Sequence, residues 1–569
     1  MSRRLAPLVG LLAACLVVGV PSCQKPSGDH PTAPEKPPPG WFQDVTESCG
    51  LDFTHDPGPT GTYFMPQSMG SGAAVFDCDG DGLLDLYVLN FGGPGSRSVN
   101  RLYRQVAPGK FQDATEGSGL GVPGHNHGVA VGDVNNDGKP DVLLTQFGST
   151  KLFINLGGAK FRDVTEASGL ANLSWGMSAA FLDYDRDGWL DLVVVNYLDY
   201  DKKVECRSPE GVLDFCGPNS FGGVGSKLFH NLRQPGGKFE DASLASGIGA
   251  VRGPGLGVSV ADFDGDGWPD IFVANDGQPN RLWVNQKNGT FADEALSRGV
   301  ALTIAGKAFA GMGVALGDVN NDGKLDLYVT HLGTEMNNLW CQEARGQFRD
   351  RSLESGLNSP RWRATGFGTL MADFNNDGAL DIAVVNGKVH RGGPGRDTGL
   401  GFWETYAEKN QLFVNNGTGK FSDASGENGV FCDSWNVARG LVCADFDNDG
   451  APDLFVTTIG GRARLLRNVA PDRGNWLKVR AFDPVRNRDA YGAEVRVRAG
   501  GKEYLRVVNP AESYLCSGSP VLHFGIGGAS AVEWVRVTWP DGEKFQTEEF
   551  AGGGANQFLT LKRGEGKTR

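Results

Sequence analysis

The pattern D-x-[DN]-x-D-G-x-x-D occurs seven times in this chain: "DCDGDGLLD" at 77, "DVNNDGKPD" at 133, "DYDRDGWLD" at 183, "DFDGDGWPD" at 262, "DVNNDGKLD" at 318, "DFNNDGALD" at 373 and "DFDNDGAPD" at 445. The starts are 56, 50, 79, 56, 55 and 72 residues apart, the size of one supersecondary unit plus insertions. Units of this kind cannot bury an apolar face alone, so the repeats must pack on one another. Each copy also crowds carboxylates against an apolar strand such as "LYVL". That arrangement is uphill unless a cation neutralises it.

Around each loop the text reads as four strands. A Gly-rich strand such as "HGVAVG" or "GPGLGVSVA" comes before it, and a β-branched one such as "LVVVN" follows. A third strand ("KLFIN", "RLWVN", "QLFVN") and a fourth in the phrase F-x-D complete the unit. The phrase begins at Phe42, Phe111, Phe161, Phe239, Phe291, Phe348 and Phe421, so its first copy precedes the first loop and none follows the last. Residues 42–46 are therefore expected to supply the missing fourth strand of the last unit. This would close a ring of seven β-propeller blades and leave no exposed edge. An open solenoid is the alternative.

The spacing of each loop places side-chain oxygens at positions 1, 3, 5 and 9 and a backbone carbonyl at 7, with Gly at 6 for the sharp turn. This hard-oxygen set suits Ca²⁺ better than the smaller, more hydrated Mg²⁺. The expected ligands are Asp77, Asp79, Asp81, Leu83 and Asp85; Asp133, Asn135, Asp137, Lys139 and Asp141; and Asp183, Asp185, Asp187, Trp189 and Asp191. They continue with Asp262, Asp264, Asp266, Trp268 and Asp270; Asp318, Asn320, Asp322, Lys324 and Asp326; Asp373, Asn375, Asp377, Ala379 and Asp381; and Asp445, Asp447, Asp449, Ala451 and Asp453. The residue at position 7 enters only through its carbonyl. Up to seven calcium ions are expected, in structural roles, with solvated acidic turns as the alternative. These loops hold 25 of the 67 acidic residues, so the net charge of −13 is mostly accounted for without a basic partner.

At 569 residues the chain is long enough for two or more domains. Its start has a basic stretch, an apolar stretch broken by Pro7, and then "VPSC", which reads as a lipoprotein signal over 1–23 with Cys23 as the lipidated residue. Cys15, in "LAAC", is the competing choice, and a plain secretory signal is the other reading. Residues 24–40 hold six prolines and form a stiff tether. An exported protein, lipid-anchored at the cell envelope or secreted, is expected, touching membrane only through its anchor. In that compartment disulfides are permitted, and Cys206 with Cys216 is the best pair; the remaining cysteines read as free and buried.

The repeats resemble the FG-GAP or VCBS repeats of integrin-like propellers. The tail resembles the ASPIC and UnbV domain through "YGAEVRVRAGGKEYLRVVNPAESYLCSGSPVLHFGIG" at 491–527 and "VEWVRVTWPDGEKFQ". "SYLCSGSP" departs from the more polar stretch expected there, which leaves the role of Cys516 open. This order of domains is that of the cartilage acidic protein family, and it implies an extracellular calcium-binding protein without assured catalytic residues. Read alone, the tail alternates apolar and polar residues ("AEVRVRA", "WVRVTW") as a β domain does. The fold expected is all-β: a seven-bladed integrin-like β-propeller over 41–470, then a small β-sandwich over 471–569.

If the acidic loops mark one propeller face, the long insertions 197–226 and 387–410 mark the other. Segments entering the first strands place His55, His125, His127, Trp175, Arg361, Trp362, Arg363, Trp435 and Asn436 there. Of these, His125, His127, Trp175, Arg361, Trp362 and Arg363 are the candidate ligand-binding residues, against a reading as packing and solvated side chains. No nucleophile motif, phosphate loop or dinucleotide fingerprint is present, and no basic stripe suggests nucleic acid. A non-catalytic propeller binding a protein or glycan is the leading expectation. The alternative is an extracellular carbohydrate lyase or hydrolase with its site in the propeller mouth.

Overall fold

The structure is a computed structural model describing residues 40–93, 96–357, 362–392, 397–540 and 546–569. The expected signal, Cys15, Cys23, all of the tether but Gly40, and Arg361 lie outside the described residues. Among the described residues no helix is long and apolar enough to cross a membrane.

The chain is nearly all β. Each acidic loop ends one strand and starts the next, as in the first repeat: Ala73–Phe76, Asp85–Val88, Arg101–Ala107 and Lys110–Asp113, antiparallel in that order. The same four-strand order recurs in sheets beginning at Asn126, Gly176, Gly255, Val314 and Gly366. The last sheet takes Ala438–Ala444, Asp453–Thr458 and Arg464–Asn468 from its own repeat. Its fourth strand is Phe42–Asp44, in register Phe42↔Asn468 and Asp44↔Leu466.

The F-x-D phrase explains how sheets adhere. Its phenylalanine enters the apolar layer shared with the preceding sheet: Phe161 joins Phe76 and Val131, Phe291 joins Leu182 and Val260, and Phe421 joins Val319 and Tyr328. Phe111 packs with Phe446 and Phe455 of the last sheet, so the succession of shared layers returns to its start. Each such phenylalanine contributes roughly 1.5–3 kcal/mol by burial. The aspartate of the phrase accepts the backbone N–H two residues on, as Asp113 does from Thr115 at 2.8 Å and Asp163 from Thr165 at 2.9 Å, and so ends the strand.

The tail forms two sheets around one apolar core. Asn475–Asp483 and Ala531–Trp539 largely alternate buried with half-buried residues, and Trp539 is fully enclosed. The tail is not self-contained, however. Residues 509–517 leave it and enter the space bounded by the first strands of all seven sheets. Ser517 pairs with Ala74, and its hydroxyl accepts from Val131 N at 3.2 Å. Leu515 N donates to Ser178 Oγ, Asn509 Nδ2 to Ser259 Oγ, and Ser513 exchanges two 2.9 Å backbone bonds with Val314. Thr369 N donates to Ser513 Oγ, and Cys516 lies against Gly440 of the last sheet. The Gly-rich first strands thus find their reason. A Cβ on Gly72 would stand 1.9 Å from Leu515 O, and one on Gly440 2.9 Å from Cys516 Sγ. "SYLCSGSP" departs from a polar stretch because Tyr514, Leu515 and Cys516 are buried in this axis, with Met65, Met69, Met177, Met312 and Phe367 around Tyr514 and Leu515.

Candidate metal centres

The seven acidic loops share one geometry. Position 6 is Gly at φ 79–93°, and position 4 (Gly, Asn or, once, Arg186) also has positive φ, so the backbone curls around the aspartate at position 1. That aspartate accepts the position-6 N–H at 2.7–3.0 Å in every loop. The position-5 aspartate accepts the position-7 N–H at 2.8–3.0 Å. Local bonds of this kind hold the position-1 and position-5 carboxylates against the loop backbone.

Position 9 does something different. Asp85, Asp141, Asp191, Asp270, Asp326, Asp381 and Asp453 are at most 2 % exposed. One oxygen of each accepts the N–H of loop position 2 at 2.8–3.3 Å. The other accepts an N–H of the third strand at 2.7–3.0 Å. The third-strand residue is Gln105, Asn155, Asn231, Asn285, Gln342, Asn415 or Asn468, a set that sequence reasoning passed over, although the final Asn of "KLFIN", "RLWVN" and "QLFVN" signals it. In five repeats its side-chain amide also binds two carbonyls, one at position 8 of its own loop and one at position 2 of the preceding loop. Asn285 does so with Pro269 O and Tyr184 O. The loops are thereby linked from sheet to sheet.

Burial makes these charges costly. It pushes the carboxyl of Asp85 up to about 6, that of Asp191 to about 7 and that of Asp326 to about 8. Asp141, Asp270, Asp381 and Asp453 are raised well above the ordinary range for the same reason. At position 1, burial raises Asp373 to about 7 and Asp183 to about 8. Oxygens converge within 4.8 Å of one another in Asp77–Asp79–Asp85, Asp183–Asp185–Asp187, Asp262–Asp264–Asp270 and Asp445–Asp447–Asp453. A hard divalent ion fits such oxygen sets, and its charge would reverse the penalty. The loops with Asn135, Asn320 and Asn375 carry one carboxylate fewer. Basic side chains share the charge at several rims: Lys139 with Asp137, Lys287 with Asp266, Arg298 with Asp264, and Lys324 with Asp322.

The tail domain sits on this same face. Arg488 donates to Asn136 Oδ1 and Gly188 O, Arg496 to Gly323 O, Gly527 N to Asn376 O, and Lys478 Nζ to Asp445 Oδ2 at 2.6 Å.

On the opposite side the insertions meet each other. Asp214 accepts from Arg391 N at 2.9 Å and from the Tyr406 hydroxyl at 2.8 Å, and Phe215 stacks on Trp403. Cys206 and Cys216 are disulfide-bonded within the first insertion. Of the remaining described cysteines, all but the half-buried Cys443 are buried. His127 is fully buried: its Nδ1 donates to Gly70 O, and its Nε2 accepts from Trp175 Nε1 at 3.0 Å. Neither nitrogen is left for a metal, and the His127–Trp175 pair packs inside instead of facing solvent. His125 is half-buried, stacked on Phe91 at 4.6 Å. Trp362 is half-buried like His125, and Arg363 is exposed, the one exposed member of the expected ligand set among the described residues.

The architecture is that of a repeat protein with a docked tail, and comparison agrees. The FG-GAP-like repeat profile matches residues 77–144, 133–194, 262–329 and 400–456, and the ASPIC and UnbV profile matches 484–568. The chain is similar to cartilage acidic protein 1 of Homo sapiens, 30% identical over 328 residues, or 56% of this chain and 46% of that one. The Mus musculus protein is 30% identical over 310 residues, covering 53% and 44%. The matched region spans somewhat under half the length of these relatives. Among solved structures, a lectin of Agrocybe aegerita is similar at TM-score 0.37 and 13% identity, covering 69% of this chain and 87% of the lectin. A Bacillus licheniformis rhamnogalacturonan lyase is similar at 0.35 and 14%, covering 69% and 71%.

Proposed function

We infer that the seven sheets form a seven-bladed propeller closed by Phe42–Asp44, that its acidic loops hold structural calcium, and that the protein is exported on a lipid anchor at Cys23. Its work is to bind a protein or glycan through the insertion-bearing face, without catalysis. The observation that carries this reading is the filled axis. A lyase or hydrolase working in the propeller mouth needs an open, solvated cleft there, and Tyr514 and Leu515 instead lie 0–1 % exposed among methionines and Phe367. On the opposite side the insertions are tied together by the Asp214–Arg391 and Asp214–Tyr406 bonds, which favours a fixed surface there.

The calcium role follows from the geometry of the cage. Protein oxygens and backbone N–H groups surround each loop, so an ion there braces two strands and leaves little room for substrate. A glycan array and an envelope-protein pull-down with the calcium-loaded chain test the binding role. Trp362→Ala with Arg363→Ala is expected to weaken capture at least tenfold with an unchanged melting temperature. Equal capture by the double variant, or turnover of a bound polysaccharide, would overturn the reading.

A further inference from the structure

The seven loops are not equivalent, and the difference lies in one third-strand position. The residue before the bridging Asn or Gln is Arg104, Ile154, His230, Val284, Cys341, Val414 or Arg467. In the first and last repeats the arginine reaches into the acidic loop and pairs with position 3: Arg104 with Asp79, and Arg467 with Asp447 at 2.7 Å. In three others the side chain is aliphatic. Only the third repeat places an imidazole there.

His230 Nδ1 lies 3.2 Å from Asp191 Oδ1 and 3.5 Å from Asp185 Oδ2. The ring is half-buried, and Asp191 and Asp185 face its Nδ1 as ion-pair partners. The edge of Tyr184 lies against the ring, centroids 5.9 Å apart. Asp183 is 8 % exposed, and its Oδ1 has no hydrogen-bond partner. Ligand atoms of Asp185, Asp191 and His230 lie within 4.8 Å of one another, as do those of Asp183, Asp185 and Asp187. Two ligands held about 2.0–2.2 Å from one ion at tetrahedral or octahedral angles stand roughly 3–3.5 Å apart. The separations of His230 Nδ1 from the Asp191 and Asp185 oxygens fall in this range.

We propose that the third acidic loop is a mixed nitrogen and oxygen site for a first-row transition ion of the zinc or manganese class, with His230 Nδ1 as a ligand beside Asp185 and Asp191. Calcium is a hard ion that takes oxygen, whereas imidazole suits the borderline ions, so this loop selects differently from the others. Asp187 is engaged by Arg233. The inference rests on reading the loops as cation cages, and differs from it in the ion assigned to one of them.

The test loads the metal-stripped full chain with millimolar calcium and one equivalent of zinc, then desalts it and measures metal content. About one zinc per chain is expected to persist in excess calcium. His230→Val, which copies Val284 and Val414, is expected to lose it at least tenfold while keeping its calcium content and its calcium-dependent melting temperature. Cadmium NMR of the wild type gives a second readout, one resonance shifted away from the all-oxygen range and absent in His230→Gln. Wild type that sheds zinc in calcium, or His230→Val that retains it, overturns the proposal. Calcium content and calcium-dependent melting of the same samples judge the broader cage reading separately.

Discussion

At the scale of single residues, the chain invests in carboxylates that burial opposes. Asp85, Asp191 and Asp326 have folded-state pKa values of about 6, 7 and 8, above the unfolded value of roughly 3.9. The native state therefore binds protons that the unfolded chain releases, and stability of the metal-free protein falls as pH rises from about 4 through 8. The chelated protein is expected to melt higher at pH 5.5 than at pH 8, and saturating calcium is expected to flatten or reverse that slope. Scans of melting temperature against pH in chelator and in calcium check both signs, and a chelated protein that grows more stable toward pH 8 would contradict the argument. Asn285 makes the second residue-scale case. Replacing it by Ala leaves Pro269 O and Tyr184 O without their donor, at a cost of about 1–3 kcal/mol in denaturant melts. These aspartates were legible in the sequence, because four ligand positions in nine residues leave a fixed spacing. The bridging amides were less so: a single Asn at a strand end reads as an ordinary turn residue until both of its carbonyl partners are seen. Arg439 gave no signal at all. It is 1 % exposed, bonded to the carbonyls of Ser68, Gly387 and Ala438, and set over the Phe367 ring at 3.8 Å, a role only the assembled centre defines.

At the scale of elements, a strand from residues 42–44 completes the last sheet. Phe42–Asp44 pairs with Arg464–Asn468, and Phe42 packs edge-on to Phe374 at 5.5 Å. Removing residues 41–46 exposes the edge of Arg464–Asn468 and empties an apolar site between sheets. A loss of several kcal/mol, read by denaturant melts, and a tendency to associate through the open edge are expected; a trimmed chain of unchanged stability and monomeric size would count against closure there. The segment 509–517 works from within. Ser513 and Leu515 both hold positive φ, at 66° and 61°, a conformation that β-sheet residues avoid and that the surrounding first strands must enforce. Gly72→Val is expected to displace Leu515, because Gly72 already offers only 1.9 Å to a Cβ. The measurable result is loss of about 2 kcal/mol or more and faster proteolysis within 509–519. Proteolysis confined to other loops would refute the coupling. Period-2 alternation showed the tail strands in advance, but the excursion of 509–517 was hidden: its residues are small or mixed, and neither strand nor helix periodicity marks a segment that crosses between two layers of structure.

At the scale of the whole molecule, the tail docks on the face that carries the acidic loops, so ions held in those loops would be coupled to docking. Lys478 donates to Asp445, and Arg488 and Arg496 hold carbonyls and an amide of three other loops. Calcium removal is expected to lower the melting temperature by many degrees and to raise amide exchange both in the loops and along Arg488–Arg496. An identical melt in excess chelator, with unchanged exchange on the tail side, would remove the ions from the account of stability. The sequence by itself determined the repeat, the loop spacing, the fourth-strand F-x-D phrase and the Cys206–Cys216 disulfide, because these depend on spacing within about ten residues or on a period copied seven times. Only the tertiary structure decided what fills the axis, which face the tail covers and that His127 and Trp175 turn inward to each other. Those contacts join residues hundreds of positions apart, as Ser517 to Ala74 and Arg488 to Asn136, and they are chosen by shape and by partners that exist only once the sheets stand side by side.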